Sequence, residues 1–268
     1  VSIPVCATCG AHFPPADAPP AGCPICLDER QYVAPGGQRW TSWDELRAAH
    51  RVRAGDDGGM PGFAVEPAFA IGQRALLVET PAGNVLWDCI PLLDDATVAA
   101  VEARGGLAAI AISHPHYYSG LAEWSRAFGG VPVHLHAADR RWVTRPHPAV
   151  RHWEGDALEL LPGVTLHRLG GHFDGGTVLH WADGPDGTGA LLTGDVIQVV
   201  QDRRWVSFMY SYPNLVPLSA RTVEGIAARV RPLRFSRLYG AFEGRNVLAD
   251  AAGAVQRSAE RYVRAIAG

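Results

Sequence analysis

The sequence predicts one large α/β domain carrying a small metal-binding module at its N-terminus, and three observations carry that reading. Four of the five cysteines, Cys6, Cys9, Cys23 and Cys26, fall within the first 26 residues. From Phe69 onward, short apolar strand-like runs alternate with helical segments, the texture of an α/β unit. Several of those strands run directly into turns that bear His or Asp, and open α/β sheets place their sites at such strand ends. With 268 residues and 47 % hydrophobic content, the chain has enough apolar material for a core, which excludes wholesale disorder.

The N-terminal cysteines form two C-x-x-C pairs with 13 residues between them. A two-residue gap lets both thiolates of one knuckle face a single metal, and two facing knuckles supply the tetrahedral four-sulfur shell that zinc or iron prefers. Gly10 follows the first knuckle, where the chain must turn back with its amides towards the sulfurs. Two disulfides, or reactive redox thiols, are the competing readings of the same spacing. The segment resembles a zinc ribbon or a rubredoxin-type knuckle pair, a motif that points to metal without choosing which. Pro14, Pro15, Pro19, Pro20 and Pro24 surround it with few large apolar residues, so metal binding would carry its folding energy. Cys89 lies in an apolar run and reads as a small core residue.

The remaining elements follow in order. Residues 27–40 show no period. Ser42 with Glu45 reads as a capping box opening a short helix from Trp43 to about Arg51. Residues 54–62, rich in Gly and Asp, read as a loop. Residues 73–79 and 84–89 are two strands joined by the turn Thr80-Pro81-Ala82-Gly83. Residues 94–104 form a helix that stops at Gly105-Gly106. Residues 107–113 are a buried strand, 119–128 a helix and 131–136 a strand. Short strands follow at 158–161, 164–169, 177–181 and 190–193. The chain ends with a helix at 220–230, a strand at 235–239 and a helix at 247–266.

Polar residues gather where the strands end. The run 107–113 leads into His114-Pro115-His116-Tyr117-Tyr118-Ser119-Gly120; two His at i and i+2 beyond a buried strand can point both imidazoles at one metal. The run 164–169 leads into Gly170-Gly171-His172-Phe173-Asp174-Gly175-Gly176, and 190–193 into Gly194-Asp195. Three neutral imidazoles and one carboxylate make a common divalent-metal shell.

This ordered set resembles the metallo-β-lactamase superfamily over roughly residues 67–268. That family carries an H-x-H-x-D-H motif, a His in a Gly-rich turn, a Gly-Asp turn and a late His. His114 and His116 match the first two positions, His172 the third motif and Asp195 the fourth. The resemblance implies a four-layer αββα sandwich with its metal site at one rim. The implied organisation is a four-cysteine zinc-ribbon or rubredoxin-like module at 1–38, a linker with a short helix at 39–66, and the metallo-β-lactamase-like domain at 67–268. The sequence departs from the family where Tyr118 and Ser119 replace the Asp-His pair and where Gly240-Ala241-Phe242-Glu243 holds no late His. Those positions bind a second metal in the usual binuclear site. The expectation is therefore a single ion on His114, His116 and His172, with Asp195 as fourth ligand or nearby base.

The leading functional expectation is a metal-dependent hydrolase acting on an ester, thioester or amide-type small molecule. Asp195 would hold or deprotonate the water, and the hydroxyl of Tyr118 or Tyr117 would help stabilise the oxyanion. The expected cofactors are two Zn²⁺ ions, one structural at the cysteines and one at the histidines, with iron an alternative at either. Iron would favour a non-haem oxidoreductase in which the knuckles pass electrons; a catalytically inactive binding scaffold is the third reading. The net charge of −3 and the absence of any basic run argue against a nucleic-acid partner. All 24 cationic side chains are Arg, which excludes Lys-based mechanisms. No apolar stretch approaches a membrane span and no leader is evident, so the expected location is the cytoplasm. The sequence leaves the oligomeric state open.

Overall fold

A computed structural model describes residues 1–267. At the N-terminus, β1 (Pro4–Cys6) pairs antiparallel with β2 (Trp40–Ser42), closing the cysteine segment into a small ribbon. Helix α1 (Trp43–Ala49) follows at once, started by the expected capping box: the Ser42 side chain accepts from the Glu45 amide, and the Glu45 carboxylate accepts from the Ser42 amide.

The next strands form a seven-stranded sheet in chain order: β3 (Arg51–Asp56), β4 (Pro61–Glu66), β5 (Arg74–Thr80), β6 (Gly83–Trp87), β7 (Ala109–Ala111), β8 (Val133–His136) and β9 (Val150–Trp153). Pairing is antiparallel from β3 to β6 and parallel from β6 to β9. The parallel steps need crossovers, which α2 (Asp95–Glu102), α3 (Leu121–Ala127) and, between β8 and β9, the 3-10 turn Ala137–Trp142 supply. A second, six-stranded sheet uses β10 (Ala157–Leu161), β11 (Val164–Arg168), β12 (Thr177–Trp181) and β13 (Ala190–Gly194). Two small ribbons interrupt it, β14 (Gln198–Val199) with β15 (Val206–Ser207) and β16 (Met209–Ser211) with β17 (Val216–Pro217). After α4 (Ala220–Val230), β18 (Arg237–Gly240) joins β13 in parallel, and β19 (Asn246–Val247) closes the edge before α5 (Ala251–Ala267).

Period-two alternation decides the layers. On β5 and β6, Leu77 and Leu86 turn to α2 and α3, where they meet Val101, Leu121 and Trp124. Their neighbours Leu76, Val78, Val85 and Trp87 turn the other way, onto Leu166, Leu179, Ala190 and Leu192 of the second sheet. On β13, Leu191 faces outward onto Val223, Ile226 and Val255 of α4 and α5. Three buried interfaces thus stack helix on sheet, sheet on sheet and sheet on helix, giving the expected αββα sandwich. Cys89 packs in the first of these interfaces, as a core residue. Among the described residues, no helix is long and apolar enough to cross a membrane.

Two expectations need correction. Residues 51–66 are not a linker: they form the β3–β4 hairpin at the edge of the first sheet. Strand β3 is exposed at five of its six positions, so it shows no apolar alternation to read. The last helix begins at Ala251 rather than at 247, because Asn246 and Val247 pair with Tyr239 and Leu238.

Candidate metal centres

The His centre is built from three strand ends. Beyond β7, the chain stays extended through His114 and then makes one 3-10 turn over Pro115–Tyr117. Ser113 anchors this segment twice: its amide donates to Asp88 Oδ1 at 2.7 Å, and its hydroxyl lies 2.8 Å from His114 Nδ1. Beyond β11, the glycine turn presents His172, whose Nδ1 donates to the Tyr210 carbonyl at 2.8 Å. That bond fixes the tautomer and leaves Nε2 with its lone pair. At the end of β13, Gly194 adopts φ +51 and brings Asp195 up beside the histidines. A side chain at Gly194 would collide with Ser113 and approach His114 Nδ1 to 3.3 Å, so glycine is needed there.

The three imidazoles form a near-equilateral triangle, with ring centroids 5.1, 5.1 and 5.2 Å apart. One donor atom from each of His114, His116, His172 and Asp195 lies within 4.8 Å of all the others. His172 Nε2 and His116 Nδ1 stand 3.5 Å apart, close to the roughly 3.4 Å spacing of two nitrogens on one tetrahedral zinc. Asp195 Oδ2 lies 3.8 Å from His114 Nε2. All four residues are buried. Burial pushes the His114 and His116 pKa values well below the usual imidazole range and that of His172 down to about 4, so all three rings are neutral at pH 7. The same burial raises the Asp195 carboxyl to about 7. His114 Nε2 and Asp195 Oδ1 are buried without a hydrogen-bond partner. Buried polar atoms are rarely left so, and a neutral imidazole triad with a carboxylate fits a divalent cation.

The cysteine centre gathers all four expected thiols, which are free of disulfides. Cys6 and Cys26 Sγ stand 3.5 Å apart, as do those of Cys9 and Cys23. A tetrahedral zinc with bonds of about 2.3 Å sets its sulfurs about 3.8 Å apart, so the set fits a closed four-sulfur site. Hydrogen bonding among the sulfurs pushes Cys6 and Cys23 towards thiolate and Cys9 and Cys26 towards thiol.

A cavity of about 100 Å³ opens onto His116, His172 and Asp195. Tyr212 lines it, and its hydroxyl donates to the Asp195 carbonyl at 2.8 Å. Tyr118 does not reach it: that side chain lines a separate recess with His12, Leu121 and Glu123. Tyr117 donates its hydroxyl to the Ala241 carbonyl at 2.7 Å, leaving no proton for an oxyanion. Neither tyrosine therefore stands where the sequence reading put it. Glu243 pairs with Arg53 on the surface. Arg30, Gln31 and Tyr32 from the N-terminal ribbon, together with Ile71, Gln198 and Phe242, line the cavity although no sequence pattern marked them.

Two facing sheets wrapped by helices, with a histidine-aspartate centre at the strand ends, define a protein of the metallo-β-lactamase fold. VMB-1 superposes with a TM-score of 0.58 at 12 % identity, covering 81 % of this chain and 98 % of that one. DIM-1 metallo-β-lactamase gives 0.55 at 13 % identity, with 81 % and 98 % covered. TTHA1623, solved in a di-iron-bound form, gives 0.51 at 22 % identity, with 70 % and 94 % covered. The chain belongs to the family of YmaE, an uncharacterized protein of Bacillus subtilis (strain 168), with 49 % identity over 265 residues, 98 % of this chain and 96 % of that one. No family model matches the sequence.

Proposed function

We propose that the protein is a metal-dependent hydrolase that directs water onto an ester, thioester or amide-type small molecule. The observation that carries this reading is the convergence of three buried neutral imidazoles and one buried carboxyl group at the strand ends, with His116, His172 and Asp195 opening onto a cavity. His114, His116 and His172 hold one divalent ion, zinc or iron, and the four cysteines hold a second, structural one. When bound at the histidines, such an ion supplies Lewis acidity, polarising a carbonyl and lowering the pKa of water. Asp195 orients the attacking water and takes its proton. The Tyr210 carbonyl keeps His172 in its ligand tautomer, and Ile71, Tyr212, Pro213 and Phe242 give the cavity a largely apolar wall. Ser119 and Ala241 stand where the resemblance has second-site histidines, so the reading takes one ion, not two, at the histidines. A cytoplasmic location belongs to the same reading, because four thiols reserved for a metal need a reducing compartment. The test is turnover of generic esters, thioesters and amides by the metal-loaded protein. Activity lost on chelation and restored by metal supports the proposal; no turnover of any class at full metal content contradicts it.

A further inference from the structure

The N-terminal ribbon does more than dock on the sandwich. Two buried side chains connect it to the backbone of two of the three imidazole ligands, Gln73 of the sandwich reaching the first knuckle and Arg30 standing just beyond the second. Gln73, 1 % exposed, donates from Nε2 to the Cys9 carbonyl at 2.7 Å and to the His116 carbonyl at 3.1 Å. Gly10 lets this amide approach: a Cβ there would sit 3.3 Å from Gln73 Nε2. Arg30, four residues beyond Cys26 and 6 % exposed, donates from Nη1 to the His172 carbonyl at 3.1 Å. Its guanidinium is clamped by the Asp28 carboxylate at 2.6 and 2.8 Å and lies 3.9 Å over the Phe173 ring. The intervening Glu29 carbonyl accepts from Ser211 at 2.6 Å and Asn214 at 2.7 Å, fastening the segment that carries Tyr210 and Tyr212.

We infer that the cysteine ribbon is a working part of the His centre: Gln73 and Arg30 are positioning residues that couple occupancy of the cysteine site to metal affinity at His116 and His172. This rests on the reading that both centres hold metal. The knuckle loops keep their shape only around a metal, since so short a segment has little apolar core of its own. Loss of that ion releases the Cys9 carbonyl and the 28–32 segment. His116 and His172 then lose the contacts that hold their backbone, and the cavity loses one wall. Coupling of this kind is reciprocal, so an ion at the histidines also tightens the cysteine site. Partners behind metal ligands typically change affinity 10–100-fold when removed, which sets the expected effect.

The test titrates the full chain with Co²⁺. Thiolate-to-cobalt charge-transfer bands report the cysteine site, and ligand-field bands without charge transfer report the His site. In Gln73→Leu, and in Arg30→Lys as a milder variant that keeps a cation beside Asp28, His-site affinity should fall about 10–100-fold with the charge-transfer amplitude unchanged. That amplitude also certifies that the ribbon has folded, and if Gln73→Leu fails on this count, Arg30→Lys decides. Cys9→Ser should weaken the His site although it touches no ligand there. Thr144→Val removes a docking bond to the His12 carbonyl that lies away from the ligands, so it should leave His-site affinity unchanged. Wild-type His-site affinity in all ribbon variants overturns the coupling and leaves the site reading standing. Wild-type protein that shows only thiolate bands overturns both. An equal loss in Thr144→Val assigns the effect to docking alone and overturns the roles of Gln73 and Arg30.

Discussion

Glu123 on α3 holds the ribbon against the sandwich, and its charge gives that contact a defined pH dependence. The carboxylate is 11 % exposed, lies 3.1 Å from His12 Nδ1 and accepts from Arg145; His12 in turn lies 3.0 Å from the Pro91 carbonyl through Nε2. Burial by itself would raise the Glu123 pKa, but His12 and Arg145 outweigh it and hold the group down from 4.5 to about 2. A depression of that size corresponds to about 3 kcal/mol of stability at pH 7. Because the folded-state value lies below the unfolded one, the stabilisation is complete above about pH 5 and is lost as pH falls towards 2. The perturbation is Glu123→Gln, which keeps the shape and removes the charge. Urea unfolding of both proteins at pH 7, 5, 4 and 3 should show a gap of about 3 kcal/mol at pH 7, narrowing to about 1 kcal/mol at pH 3. A gap that does not change with pH, or one below about 1 kcal/mol at pH 7, would refute the assignment of this stabilisation to the ionised carboxylate.

Three further outcomes follow from the same geometry. Cys23→Ser should lose one metal equivalent and leave roughly the first 35 residues open to proteolysis, since metal binding is most of their folding energy; disulfides in the native protein would contradict this. Asp195→Asn should keep most of its His-site metal and lose about 10²–10⁴-fold in turnover, measured on one preparation. Full metal loss would instead make Asp195 a primary ligand. Gly194→Ala forces a side chain into a backbone with φ +51, a strain of about 1–2 kcal/mol, and pushes Ser113 off His114 Nδ1. It should weaken metal binding at the histidines and spare the cysteine site, as equilibrium dialysis of both metals would show.

The legible parts of this protein were those encoded over short stretches. Paired C-x-x-C knuckles and buried runs ending in His114, His116, His172 and Asp195 each announce themselves within about ten residues, and the fold brings them together. The capping box at Ser42 and Glu45 is equally local. What the sequence hid depends on distant partners. Arg30 finds the His172 carbonyl 142 residues away, and no spacing around Arg30 signals that. Strand β3 pairs as an edge with little burial, so the property that reveals most strands is missing from it. Tyr118 shows the opposite failure. It lies two residues from His116, but the chain between them is a 3-10 turn of about three residues per turn, which rotates the two side chains apart. Adjacency in sequence there means separation in space.

Elemental analysis of the purified protein, expressed as moles of metal per chain, tests the central claim most directly. Wild type should carry about two ions per chain, zinc or iron. Replacing His114, His116 and His172 together by alanine should remove one of them and leave the other on the cysteines. Two ions retained in that triple variant, or a wild type holding metal only at the cysteines, would contradict the account.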